Sequence, residues 1–143
     1  MKVKEVMTKK PETVHPQSGL QAAAQLMRKV DIGSLPVVKD GRLQGILTDR
    51  DIAVRAVAEN RDMATTLVDD VMSRDVVVVE EDQDVAEAAR LMQANQIRRL
   101  PVVSHEGRLT GILSMADLAV DVGDREATGD TLQAVSEPAK PRR

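Results

Sequence analysis

Twice in this chain a hydroxyl residue stands three positions ahead of an aspartate, in Thr48-Asp49-Arg50-Asp51 and in Ser114-Met115-Ala116-Asp117. Each run follows a Gly-Ile-Leu triplet (Gly45, Ile46, Leu47 and Gly111, Ile112, Leu113) that reads as the end of a strand. Two chemistries fit that spacing. In a capping box the hydroxyl accepts from the N–H three residues on, the acid accepts from the hydroxyl residue's own N–H, and a helix begins. In a recognition site the same helix start turns free N–H groups and positive dipole toward a phosphate. There the hydroxyl adds a donor, and the carboxylate accepts from both hydroxyls of a ribose. The carboxylates stand at recognition rather than catalytic spacing, with no nucleophile and positioned base, so the expectation is a protein that is not an enzyme. A nucleotide hydrolase also lacks its Walker-type glycine loop and an obvious metal site.

Composition narrows the field further. The 143 residues are 42% hydrophobic and 30% charged, the profile of a soluble globular protein. The absence of Cys removes disulfides, thiolate catalysis and Cys-based zinc sites. His15 and His105, the only histidines, lie far apart near turn signals and read as exposed rather than metal-binding. With no Phe, Tyr or Trp to stack bases and a formal charge of −3, nucleic acid is disfavoured as a partner. No apolar run approaches the ~20 residues of a membrane span. The start Met1–Met7 is basic without an apolar core, so the expected location is cytoplasmic, with no membrane partner.

The elements that must position these runs come from an internal repeat. Val6–Val38 aligns on Val71–Val103 with 12 of 33 residues identical, and after one inserted residue Gly41–Val54 aligns on Gly107–Val120 with 9 of 14. Each copy opens with an extended stretch, Glu12–Val14 or Val76–Val79. A helical stripe follows at Leu20, Ala23, Ala24, Met27 and Val30, and at Val85, Ala88, Ala89 and Met92. Leu35–Val38 and Arg42–Thr48 then form a hairpin through Asp40-Gly41, with His105-Glu106-Gly107 as the second copy's turn. A second helix is expected at about 49–59 and 115–122. The divisions are 1–59 (first repeat), 60–70 (connection), 71–122 (second repeat) and 123–143 (polar tail, with a possible short helix at 131–136).

Leu-Pro-Val-Val before the hairpin, then Gly-Ile-Leu-Thr/Ser-x-x-Asp after it, in both copies, resembles the cystathionine-β-synthase (CBS) domain. Two in tandem resemble a Bateman module, and the resemblance runs from about Val3 to Val122. It implies an α/β (α+β) fold of two β-α-β-β-α repeats, packed through three-stranded sheets with pseudo-two-fold symmetry and leaving two clefts. Each cleft typically binds the adenosine part of AMP, ADP, ATP, S-adenosylmethionine or a related molecule. By the same resemblance one cleft takes Asp117, Ser114 and Ile112 with Thr8, Thr13, Ile32 and Gly33. The other takes Asp51, Thr48 and Ile46 with Ser73, Val78, Ile97 and Arg98, and Arg50 stands beside its acid. Without aromatics, adenine has to lie between aliphatic side chains. Arg50 and Arg98 make the Asp51 cleft the more cationic, suited to more phosphate.

The function so implied is a regulatory sensor that binds an adenosine-containing nucleotide, requires no cofactor, and signals by conformational change to a regulated protein partner. The alternative is a ligand-free dimerisation or scaffold module, which has no need of both acids and both hydroxyls. A homodimer through the helices is expected. Leu26 lies outside the main stripe, Ala53, Ala56 and Val57 follow Ile52, and Ala56 and Ala58 are small enough for a second helix to approach.

Overall fold

The computed structural model describes residues 1–121. The tail, with its expected helix at 131–136, lies outside them, as does Val122. In chain order the elements are α1 (Val3–Val6), β1 (Thr8–Lys9), α2 (Leu20–Val30), β2 (Ser34–Lys39), β3 (Arg42–Thr48) and α3 (Asp49–Asp51), which runs on as a π-helix over Ile52–Val57. Then come α4 (Val68–Val71), β4 (Val79–Glu80), α5 (Val85–Asn95), β5 (Arg99–Val103), β6 (Leu109–Ser114) and α6 (Met115–Asp121). The mixed α/β architecture is as expected, and so is the order within each repeat except at the first copy's extended start, Glu12–Val14, which is a single bridge at Val14 rather than a strand. The second copy's extended start narrows to β4. The first copy's second helix, expected to run to 59, is an α-turn followed by π winding, with Ala58 N–H donating to Ala53 C=O across five residues.

Two compact units result, one of Glu12–Val76 and one of Met1–Pro11 with the chain from Val77 on. They divide the chain differently from the sequence repeats, because each unit borrows the segment that precedes the other's hairpin. In the second unit β1 pairs antiparallel with β6, β6 with β5, and β5 parallel with β4. In the first, β2 and β3 carry the same flanks as single bridges, Val14 on Val37 and Ser73 on Ile46. The three-stranded sheet expected of each repeat therefore has a fourth position, filled by Thr8–Lys9 or by Ser73. Pro36 fits inside β2 because this outer pairing uses its carbonyl, accepting from Val14 N–H at 3.0 Å, and needs no proline donor.

The borrowed segments share one design. In Val3–Val6 and Val68–Val71 a valine at each end turns to the core, fully or almost fully buried. An acid at the third helical position, Glu5 or Asp70, accepts from the N–H of the residue before the helix, Lys2 or Leu67. Val68, Val71 and Met72 join the core of Val14, Leu20, Ala23, Met27, Leu35, Val37, Leu47 and Ala56. The stretch 60–70, expected as a connection, thus supplies core residues. Ala56, expected to admit a partner helix, is fully buried in the core of its own unit instead, within the π-helical stretch. Val3 and Val6 likewise join Val85, Ala88, Met92, Leu100, Val102, Leu113 and Leu118.

Candidate functional site

Strand β3 ends at Thr48 and strand β6 at Ser114, and both turn directly into a helix. Around Thr48 the reciprocal pair is complete: Asp51 N–H donates to Thr48 Oγ1 and Thr48 N–H to Asp51 Oδ2, each at 3.0 Å. Around Ser114 it repeats, Asp117 N–H donating to Ser114 Oγ at 3.1 Å and Ser114 N–H to Asp117 Oδ2 at 2.8 Å. The capping reading is thus true of both runs, and it commits one carboxylate oxygen of each acid. What remains for a ligand is the other oxygen and the surroundings.

Those surroundings differ. Asp51 Oδ1 accepts from Ser73 Oγ at 3.2 Å and lies 3.9 Å from Arg55 Nε, and its side chain is 11% exposed. Ser73 reaches it because the Ser73 and Ile46 backbones exchange both N–H bonds at 2.9 Å across the sheet edge. Asp49 N–H donates to Gly33 C=O at 2.9 Å, and the Asp49 carboxylate fills the space where a Gly33 side chain would be. In the other unit Met115 N–H donates to Arg98 C=O at 2.9 Å, with Met115 buried and Arg98 exposed. One helix start therefore carries an acid beside a bare backbone, and the other a buried thioether beside an exposed arginine.

Two family-model matches, described as CBS domain, cover residues 3–57 and 68–122. The chain belongs to the CBS-domain family. A CBS domain-containing protein of Bacillus subtilis, YhcV, is 42% identical over 134 residues, covering 94% of each chain. The crystal structure of the CBS domain pair of protein MJ0100, in complex with 5-methylthioadenosine and S-adenosyl-L-methionine, is 33% identical with a TM-score of 0.72, covering 86% of this chain and 96% of that one. A CBSX2 structure in complex with AMP is 27% identical with a TM-score of 0.72, covering 82% and 93%. Some CBS pairs similar to this chain thus bind adenosine compounds.

Within the CBS units the expected site residues divide by element. Thr8, Val78, Ile97, Arg98, Ile112, Ser114 and Asp117 belong to the unit that contains α6; Thr13, Ile32, Gly33, Ile46, Thr48, Arg50, Asp51 and Ser73 belong to the unit that contains α3. Thr8 is opposite Ile112, and Ser73 opposite Ile46, so the edge segments meet the strands that lead into the acids. Thr13 and Val78 each precede the valine that flanks its sheet. Ile32 and Ile97 have a structural duty as well. Each follows a left-handed residue (Asp31, φ 56°; Gln96, φ 52°) and returns its N–H to Met27 or Met92, closing the helix C-terminus with its apolar side chain against the core. Arg50 is exposed on the first turn of its helix. Sequence reasoning missed Arg55, which faces the acid one turn earlier. Its signal was the i, i+4 spacing from Asp51. Among the described residues no group of three His, Cys, Asp or Glu could hold a metal, and no helix is long and apolar enough to cross a membrane.

Proposed function

We propose that this chain is a regulatory module that binds adenosine-containing nucleotides (AMP, ADP, ATP or a related compound) through its two hydroxyl–carboxylate turns and signals by a conformational shift to a protein partner. The observation that carries the reading is at Asp117: Oδ2 is held by Ser114 N–H, and Oδ1 has no hydrogen-bond partner among the described residues. The second oxygen of this partly exposed acid, whose carboxylate is fixed by its own backbone at a helix start, is placed to accept from ribose hydroxyls. The nucleoside complexes of the similar CBS pairs support the same ligand class. Aliphatic side chains at Ile46, Ile97 and Ile112, each partly exposed, would flank the base, and Arg50 and Arg98 would answer phosphate charge.

AMP is expected to raise the melting temperature, since a ligand specific for the folded state adds RT ln(1 + [L]/Kd) to stability. In the double variant Asp51→Ala/Asp117→Ala the shift should vanish while the circular dichroism spectrum is kept. A double variant that responds as strongly as the parent would refute nucleotide recognition by these acids and leave the ligand-free scaffold. We also propose a homodimer through the helical face where Val54 and Val57 are 48% and 63% exposed. Light scattering should give twice 15.6 kDa, and Val57→Asp should return the monomer; a parent particle of monomer mass would refute the pairing.

A further inference from the structure

The two turns are alike in their capping bonds and unlike in the second carboxylate oxygen. At Asp51 that oxygen already has a hydroxyl donor, Ser73, and a cation, Arg55. Arg55 is itself anchored, its Nη1 donating to Met72 C=O at 3.1 Å and Val71 C=O at 3.4 Å, the carbonyls that close α4. At Asp117 the oxygen has neither partner among the described residues. The sequence carries the same asymmetry. The repeat alignment sets exposed Thr8, which makes no hydrogen bond to Asp117, against Ser73.

We propose that Asp117 is an open ribose acid and Asp51 a guarded one, with Ser73 and Arg55 as internal occupants that a nucleotide must displace. This rests on the nucleotide reading above. A ribose hydroxyl arriving at Asp51 exchanges one hydroxyl donor for another and separates an ion pair, so its net gain is small. At Asp117 the same hydroxyl makes a new bond to a charged acceptor, and such bonds are among the stronger kind. The guard also gives the module a way to signal. A ligand moves an equilibrium only by its difference in affinity between two states. Taking Asp51 from Ser73 releases one of the ties that hold the Val68–Ser73 segment to its unit, and it parts Asp51 from Arg55, whose guanidinium holds that segment's Val71 and Met72 carbonyls. Occupancy at Asp51 is therefore coupled to that segment, whereas occupancy at Asp117 frees no corresponding tie.

Titration calorimetry with AMP tests this on the full chain. Asp51→Ala should keep the parent's tighter affinity, and Asp117→Ala should bind AMP roughly tenfold more weakly, the scale of one hydrogen bond to a charged group. Adding Ser73→Ala to Asp117→Ala should tighten AMP several-fold, because only the competing hydroxyl is removed and the backbone pairing with Ile46 stays. Arg55→Gln in the same background should act in the same direction. Equal affinities in the two single variants would overturn the proposal. So would weaker binding on loss of the Ser73 hydroxyl, which would make Ser73 a ligand contact. No AMP binding by the parent or any variant would overturn the nucleotide reading itself, and the guard with it.

Discussion

At Gly45 the chain needs space more than conformational freedom. A Cβ there would run into the carbonyl oxygen of Ser73, a residue tied to Ile46 through both its backbone N–H and C=O, so nothing cheap can move. Gly111 has the same duty against Thr8, its Cβ falling 2.7 Å from the Thr8 carbonyl oxygen. Gly33 differs, since a Cβ there meets the end of the Asp49 side chain at 2.9 Å, and an exposed carboxylate can rotate away. Gly45→Ala should therefore cost about 1–3 kcal/mol in urea unfolding, the usual range for overpacking, and Gly33→Ala less than about 1 kcal/mol. Similar losses at both positions would mean that the Ser73 edge yields as readily as a side chain. The acids and hydroxyls were legible in the sequence because a strand end, a hydroxyl and an acid at fixed spacing form a local pattern. The guard was not. The repeat identity fades after Val54, and nothing local to Arg55 reports that Ser73, 22 residues beyond Asp51, returns to the same oxygen.

Among the elements, α2 and α5 were readable from their apolar stripes, and the structure buries Leu20, Ala23 and Met27 on one, Val85, Ala88, Ala89 and Met92 on the other. The first hairpin was readable from Asp40-Gly41, whose φ values of 52° and 79° are those of a primed turn. The π winding of Ile52–Val57 was not, because its five-residue bonds leave no mark on a three-and-four pattern of apolar residues. Helix starts differ in a way that predicts pH behaviour. Gly19 begins α2 without a side-chain cap, whereas Asp84 begins α5 by accepting from Ala86 N–H at 2.9 Å. That bond holds the Asp84 carboxyl below the ordinary aspartate range. A carboxyl whose pKa is lower folded than unfolded contributes stability above its unfolded value, and the contribution is lost as pH falls through the folded value. Asp84→Ala should accordingly lower the melting temperature at neutral pH, with the difference from the parent shrinking toward zero as the carboxyl protonates in acid. A gap that stayed constant with pH would assign the loss to packing rather than to the charged cap.

Over the whole molecule, the repeat, the element order and the two acids were legible, whereas the assignment of edge segments to units was not. Val3-Lys4-Glu5-Val6-Met7 and Val68-Asp69-Asp70-Val71-Met72 present the same buried valines, so either could serve either sheet by local pattern. Connectivity decides: the segment ahead of each repeat serves the other repeat's hairpin. Deleting residues 1–9 should thus injure the repeat that is distant in sequence and spare the adjacent one. The deletion takes from the second unit two buried valines and the β1–β6 pairing at Thr8 and Ile112. Burial of each valine is worth about 1.5–3 kcal/mol, so the pair amounts to a large share of the ~5–15 kcal/mol that holds a small domain. Amide exchange should show protection falling steeply at Leu100–Val103 and Leu109–Ser114 and persisting at Leu35–Val37 and at Ile46 and Leu47. A synthetic peptide of residues 1–9, added in excess, should restore the lost protection by refilling the edge. Val68→Ala supplies the converse case: about 2 kcal/mol should leave the unit of β2 and β3, with the distant strands β5 and β6 keeping their protection. If instead the deletion lowered protection first at Leu35–Val37, beside its own place in the sequence, the exchange of edge segments would not describe the protein in solution.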